Sequence, residues 1–149
     1  MPPGGNCTIN VTFTPSTTGS RPATLEIFDS GGDSPQKVPL AGDGSYVSLS
    51  PSPVNFGNQP VGQQSSPIPV TLTNHNTGAL TITSISITGA DKSEFAQTNN
   101  CPSSVPSGGT CTINVTFTPA KTGARSATLT VDDSDAGNPD TDALLGTGT

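Results

Sequence analysis

The feature that most constrains this chain is a phrase it contains twice. Gly109-Thr110-Cys111-Thr112-Ile113-Asn114-Val115-Thr116-Phe117-Thr118-Pro119 returns, with one substitution, as Gly5-Asn6-Cys7-Thr8-Ile9-Asn10-Val11-Thr12-Phe13-Thr14-Pro15. In each copy Cys, Ile, Val and Phe alternate with Thr and Asn, the period-two pattern of a strand that buries one face. Glycine precedes the run and proline stops it. The copies lie 104 residues apart, and the same offset relates Gly19 to Gly123, Arg21 to Arg125, Leu25 to Leu129, Pro35 to Pro139 and Gly42 to Gly146 without a gap. An offset of that length is the size of a domain. The chain therefore reads as the C-terminal half of one repeat over residues 1–44, followed by a complete repeat over residues 45–149.

Composition decides between order and disorder. Only 30% of the residues are hydrophobic, with 17 Gly and 15 Pro, which suits short strands joined by tight turns. Disordered chains share the low hydrophobicity, but they do not keep phase through several alternating runs. No stretch has an apolar 3.6-residue period. The formal charge of −6, with Arg21, Lys37, Lys92, Lys121 and Arg125 as the only basic residues, argues against nucleic acid or an anionic membrane as partner. No run is long and apolar enough to span a bilayer, and Met1–Gly5 does not resemble a signal peptide.

The pattern predicts a strand over Cys7–Phe13 that forms a hairpin through Pro15–Gly19 with Ala23, Leu25 and Ile27. A last short strand around Val38–Ala41 and a linker over Gly42–Ser45 follow. In the complete repeat, Tyr46–Ser50 and Val54–Gly57 flank a double-proline break that suits an edge strand switching sheets. Further strands are expected over Pro67–Asn74 and Leu80–Ile87, the latter with a bulge or bend where its apolar phase shifts between Ile82 and Ile85. A hairpin is expected between Cys111–Phe117 and Ala127–Val131, with Leu144-Leu145 in the final strand. The expected core is Val70, Leu72, Leu80, Ile82, Ile85, Phe95, Ile113, Val115, Phe117, Leu129 and Val131. Seven or eight short strands with turns every 8–12 residues predict an all-β, immunoglobulin-like antiparallel sandwich. With no Trp to pack against a core disulfide, an antibody-type domain is not expected.

Cys101 and Cys111 bracket a Pro/Ser/Gly turn and are placed to close a loop of about ten residues. A reduced pair, with one thiol filling a core position, is the alternative. The counterpart of Cys101 would fall ahead of residue 1, which leaves Cys7 without a partner in its own half repeat. A disulfide would place the protein outside the cytoplasm.

Phe56-Gly57 with Val61-Gly62, Leu72-Thr73-Asn74 with Gly78, and Ile87-Thr88-Gly89 with Phe95 occur in a recognisable order. Cys101, Gly108-Gly109, Cys111, Val115-Thr116-Phe117-Thr118-Pro119, Gly123, Ala127-Thr128-Leu129 and Leu145-Gly146-Thr147-Gly148 continue it. The whole resembles the ASH (Hydin-like) immunoglobulin-type repeats, including bacterial tandem repeats of the choice-of-anchor D type. The resemblance implies a β-sandwich used as a spacer or assembly module in long secreted or surface proteins, with no catalytic residues to carry over. The paired cysteines and the Thr/Ser/Gly composition look more like the bacterial branch than the ciliary and centrosomal one.

Little else in the chain suggests chemistry. His75, the only histidine, sits in a turn with no nucleophile beside it in sequence, and the Gly-Gly pairs at 4–5 and 108–109 lack the strand-then-helix context of a phosphate loop. The acidic run Asp132–Asp142 is the one cluster of hard oxygen donors, with Asp133, Asp135 and Asp140 as weak Ca²⁺ candidates. Its spacing departs from an EF-hand, and a solvated acidic turn is the default. No other cofactor is expected. Asn6, Asn10 and Asn114 begin glycosylation sequons, which arise easily in a Thr-rich chain.

A half sandwich leaves one side of its apolar residues uncovered. Two C-terminal halves share one N-terminal half in each molecule, so exchange among identical copies cannot complete them all. The expectation is an excerpt of a longer tandem-repeat polymer, or docking of Cys7–Leu40 on a neighbour's sheet edge in a head-to-tail filament. The expected function is a non-enzymatic structural module of an extracellular or surface fibre, stalk or filament, with neighbouring copies as partners. An adhesin-type domain that recognises carbohydrate or protein through its loops is the other reading.

Overall fold

A computed structural model describes residues 5–14, 19–44, 46–135 and 137–149. Met1–Gly4, Pro15–Thr18 (most of the turn expected after Phe13), Ser45 and Ala136 lie outside the described residues. The chain divides into two compact units, Met1–Gly44 and Ser45–Thr149.

The first unit contains strands β1 (Gly19–Ser20), β2 (Ala23–Ile27), β3 (Gln36–Leu40) and β4 (Asp43–Gly44). β2 and β3 form an antiparallel hairpin, and β1 pairs with β4. Its loop is held by Asp29, whose Oδ1 accepts from the Gly31 N–H at 2.6 Å while its own N–H donates to Ser34 Oγ at 2.9 Å. Side-chain caps of this kind satisfy a turn's backbone locally. The linker expected over Gly42–Ser45 is in part strand, because β4 extends the same ladder. The strand expected over Cys7–Phe13 is absent: the segment is irregular, with Ile9, Val11 and Phe13 exposed. A strand needs a neighbour for its N–H and C=O groups, and among the described residues of this unit no strand pairs with it. The hairpin expected between it and Ala23–Ile27 does not form either; β2 pairs with β3 instead.

The second unit contains β5 (Val47–Ser50), β6 (Val54–Gln59), β7 (Ile68–Asn74), β8 (Leu80–Thr88), a 3₁₀ turn (Lys92–Glu94), β9 (Phe95–Asn99), β10 (Ser104–Val105), β11 (Thr110–Phe117), β12 (Gly123–Asp133) and β13 (Asp140–Gly148). One sheet has the order β5-β7-β11-β9, the other β10-β8-β12-β13-β6. All neighbours are antiparallel except β13 and β6, which run parallel. The chain crosses between sheets at Pro51-Ser52-Pro53, since β5 and β6 belong to different ones, as the double-proline break implies.

Inward residues of both sheets form one core, which makes the unit an immunoglobulin-like sandwich. Val70, Leu72, Leu80, Phe95, Ile113, Val115, Phe117, Leu129 and Val131 are buried as expected; Ile82 and Ile85 are only partly so. Val47, Val54, Val105, Cys111, Ala127 and Leu144 complete the core without having been expected there. Each fully buried aliphatic or aromatic side chain contributes about 1.5–3 kcal/mol. Phe56, Phe95 and Phe117 cluster with ring centroids 4.7–5.9 Å apart. The phase shift in β8 is a bulge: Asp132 faces Ser84 and Asp133 faces Ile82, so Thr83 is the extra residue.

The second hairpin expectation is also corrected. β11 pairs with β7 and β9, whereas β12 pairs with β13 and β8 in the opposite sheet. Two strands with one apolar face each can lie side by side or face each other across a core, and here they face each other. The Thr118–Thr122 connection crosses over: Thr118 N–H donates to Glu94 O, and Pro119 O accepts from Gly62 N–H.

The hairpins of the two units agree residue for residue at the offset of 104. Ala23 faces Leu40 as Ala127 faces Leu144, Ile27 faces Gln36 as Val131 faces Asp140, and Gly19 faces Gly44 as Gly123 faces Gly148.

Candidate functional site

At one end of the sandwich, the loop between β9 and β11 is closed by a disulfide between Cys101 and Cys111. Asn74 lies beside this end, fully buried at the close of β7. Its Nδ2 donates to Gly78 O, Val105 O and Pro106 O at 2.9–3.1 Å, and its Oδ1 accepts from Asn76 N–H. One buried amide thus ties together the backbone of two loops, and its own polar atoms are satisfied by doing so. The signal was present in the sequence, since Asn74 continues the inward series Ile68, Val70, Leu72.

His75 follows, and its Nε2 lies 2.8 Å from Ser48 Oγ. The fold brings this pair together from β5 and the residue just past the end of β7, which sequence reasoning missed. Both residues are exposed. They line neither the cleft over β9 and β11 nor the one beside Arg125 and Leu145. A serine–histidine contact acts as a nucleophile only when the imidazole is oriented and the site is enclosed, and an exposed pair provides no enclosure.

The sequence-predicted acidic residues lie where β12 turns into β13. Asp133 Oδ1 accepts from Asp135 N–H, Asp133 N–H donates to Asn138 Oδ1, and Asp135 Oδ2 accepts from Gly137 N–H. These carboxylates hold the loop's own backbone. Among the described residues no three Asp, Glu, His or Cys side chains are grouped to hold a metal ion, so Asp133, Asp135 and Asp140 do not form a shared cage. Asp142 was not singled out from sequence, yet it is buried on the inner face of β13, two residues from Leu144. Burial raises its pKa, opposed by hydrogen bonds from Ser52 Oγ at 2.7 Å and from the Ala143 backbone.

Arg125 on β12 is clamped by two acids from the 3₁₀ turn. Its Nε and Nη2 bind Glu94 Oε2 and Oε1 at 3.0 and 2.7 Å, and Nη2 also binds Asp91 Oδ1. The hydrogen bond to Glu94 is the chief reason its pKa is raised. A bidentate fork fixes geometry as well as charge. Here it ties the 3₁₀ turn to β12.

A surface concavity of about 470 Å³ lies over β9 and β11 and is lined by Gln64, Pro67, Gln97, Thr98, Asn114 and Thr116 among others. Amide and hydroxyl side chains line it together with the apolar Pro67 and Ala96, and no ionisable group is among them. Of the sequon asparagines, Asn114 is exposed on the face of β11, and Asn6 and Asn10 are exposed in the irregular segment. Cys7 is a free, exposed thiol. No helix among the described residues is long and apolar enough to cross a membrane.

A family model described as ASH, Abnormal spindle-like microcephaly-assoc'd, ASPM-SPD-2-Hydin, matches residues 45–141. No curated protein is significantly similar to the chain. Among solved structures, an ASH/PapD-like domain of human CEP192 (PapD-like domain 7) superposes with a TM-score of 0.50 at 19% identity, covering 70% of this chain and 85% of that one. The Vibrio cholerae VesB protease matches with a TM-score of 0.55 at 21% identity, over 68% of this chain and 32% of the protease. The secreted serine protease VesC of the same organism matches at 0.56 and 15%, over 68% and 23%. At these identities the likeness is one of fold, and the chain spans only about a third and a quarter of the two proteases.

Proposed function

Because the chain belongs to the ASH family through residues 45–141, we propose that it is a non-enzymatic structural repeat, used as a spacer or assembly module in an extracellular or surface fibre, stalk or filament. The observation that carries this reading is the hairpin that recurs in identical register 104 residues apart, with β1–β4 in one unit and β12–β13 in the other. Recurrent units that each fold on a short local pattern are how stacked modules set length. The Cys101–Cys111 disulfide supports an oxidising location. Partners are neighbouring repeats of the same kind. Electron microscopy of native material with intact mass on the same sample tests the reading. Regular filaments of chains well above 14.9 kDa are expected, and monodisperse particles of that mass would overturn it.

One observation favours a second reading, a binding module for carbohydrate. The cleft is lined by the amides of Gln64, Gln97 and Asn114. Gln97 bonds Ile85 O and Asn99, and Gln64 bonds Thr116, which leaves the Asn114 amide and the remaining N–H groups and lone pairs to exchange hydrogen bonds with sugar hydroxyls. A glycan array that returns no ligand, or a ligand whose affinity survives Gln97→Ala with Asn114→Ala, would remove it.

A further inference from the structure

β11 carries the sequon Asn114-Val115-Thr116 on a strand paired along both edges. Val115 is fully buried in the core, so Asn114 and Thr116 share the outer face, where Asn114 is exposed. Elsewhere in this unit Asn55, Asn74, Asn99, Asn100 and Asn138 each hold a backbone group. The Asn114 amide makes no hydrogen bond among the described residues. Its cross-strand neighbours, Pro69 in β7 and Thr98 in β9, are exposed and have short side chains. The amide opens onto the cleft of about 470 Å³ that Gln64, Pro67, Ala96 and Thr98 also line. Thr116, whose hydroxyl completes the sequon, lines the same cleft and accepts from Gln64 Nε2 at 3.4 Å. The Cys101–Cys111 bond belongs to the oxidising compartments in which such acceptors are used.

We infer that Asn114 is an N-glycosylation site, and that the first sugar of its glycan seats in the cleft over β9 and β11. The reaction joins the Asn114 side-chain nitrogen to the anomeric carbon of a lipid-pyrophosphate-linked oligosaccharide. The bond from that carbon to the pyrophosphate oxygen breaks, the lipid pyrophosphate leaves with the electron pair, and the amide nitrogen gives up one proton. Because β7 and β9 pair with β11 on both sides, the acceptor is reached on the extended chain before the sandwich closes. The folded strand tolerates a bulky, solvated substituent because Asn114 faces solvent and not the core. The lining suits a neutral sugar. Pro67 and Ala96 supply apolar surface, Gln64 and Thr98 exchange hydrogen bonds with hydroxyls, and no ionisable group lines the cleft to pair with an acidic sugar. This inference rests on the extracellular reading, but on neither a fibre nor a freely bound carbohydrate.

In the test, native protein is reduced, digested with trypsin and mapped by mass spectrometry. Cleavage after Lys92 and Lys121 separates Asn114 from the sequons at Asn6 and Asn10. The peptide 93–121 is expected to carry an added glycan mass, which peptide N-glycosidase removes in heavy-oxygen water to leave a labelled carboxylate at position 114. In protein secreted from cultured eukaryotic cells, Thr116→Ala keeps the asparagine but removes the sequon hydroxyl. It is expected to abolish the modification without lowering the melting temperature. After the glycan is trimmed to its first sugar, nuclear Overhauser contacts are expected from that sugar to Gln64 and Thr98. Gln64→Ala with Thr98→Ala leaves the sequon intact, and is expected to keep Asn114 occupied while glycosidase release from the folded protein speeds up at least ~10-fold, since access no longer requires local opening. An unmodified peptide 93–121 in native protein would overturn the inference, whatever the state of Asn6 and Asn10. A modification that survives Thr116→Ala would overturn the N-linked assignment. An occupied Asn114 whose sugar touches neither Gln64 nor Thr98 would overturn the seating in the cleft. An occupied Asn114 in monodisperse particles would support the inference while overturning the fibre, and an unmodified one in regular filaments would do the reverse.

Discussion

Phe117 packs directly over Gly146: a Cβ placed on Gly146 would come within 2.5 Å of the Phe117 ring. The two residues belong to opposite sheets, Phe117 to β11 and Gly146 to β13. The glycine is what lets the ring reach the far wall of the core. The relationship recurs in the first unit, where a Cβ on Gly42 would meet the Phe13 ring at 2.9 Å.

Gly146→Ala is expected to destabilise the second unit by on the order of 1–3 kcal/mol, the usual cost of overpacking a filled core. Urea denaturation would read this as a lower midpoint with an unchanged slope. A midpoint equal to that of the parent would show that the Phe117 ring moves aside freely.

Phe117→Ala and Phe13→Ala make a matched pair in identical sequence. Truncating the buried ring should cost about 3–5 kcal/mol, whereas truncating the half-exposed one should cost under about 1 kcal/mol. Equal losses in thermal unfolding would mean that the Cys7–Phe13 segment is already packed in solution.

Asp142 sets a pH dependence. Its folded pKa is raised above the ordinary 3.8 by burial, so the folded state holds this proton more tightly than the unfolded chain does. The stability it contributes is complete below the unfolded value and is lost as pH rises through the folded pKa. Asp142→Asn preserves an acceptor for Ser52 and removes the buried charge. It should therefore raise stability at pH 7 by on the order of 1 kcal/mol and flatten the fall in melting temperature as pH rises above the ordinary carboxyl value of 3.8. A variant less stable than the parent at pH 7 would contradict this.

Arg125→Lys keeps the charge but loses the fork that holds Glu94 and Asp91. The melting temperature should fall with Arg125→Lys and further with Arg125→Ala. A double-mutant cycle with Glu94→Gln should show coupling between the two positions. Additive effects would mean that the clamp is incidental.

Reducing the Cys101–Cys111 bond frees a loop of 10 residues. On the loop-entropy account it should lower stability by about 2.7 kcal/mol. An unchanged denaturant midpoint after reduction would show that the β9–β11 loop is held by its hydrogen bonds alone, Cys101 N–H to Asn99 Oδ1 and Thr112 N–H to Asn100 Oδ1 among them.

Period-two alternation made most of the core legible, because a strand's side chains point to one face or the other whatever it pairs with. It also pointed to the β8 bulge, through the phase slip between Ile82 and Ile85, while the prolines at 51 and 53 pointed to the sheet switch. Val54 and Leu144 were expected in strands but not in the core, because their strands are interrupted by Asn, Gly and Asp. Asn74 and Asp142 escaped because a polar residue in an inward phase is usually read as the end of a strand. The contact between Ser48 and His75 joins residues 27 apart, and only the pairing of β5 with β7 brings them together.

What the sequence determined by itself is which residues face inward, where the chain turns, and that one hairpin is written twice. Those are local properties, set by side-chain alternation and turn chemistry over a few residues. What only the tertiary structure decided is partnership. β11 and β12, expected side by side, face each other across the core, and nine identical residues form a buried strand in one unit and an exposed, irregular segment in the other. A strand's backbone hydrogen bonds are made entirely to its neighbours, so no sequence of nine residues can specify a strand until β7 and β9, or their equivalents, are in place beside it.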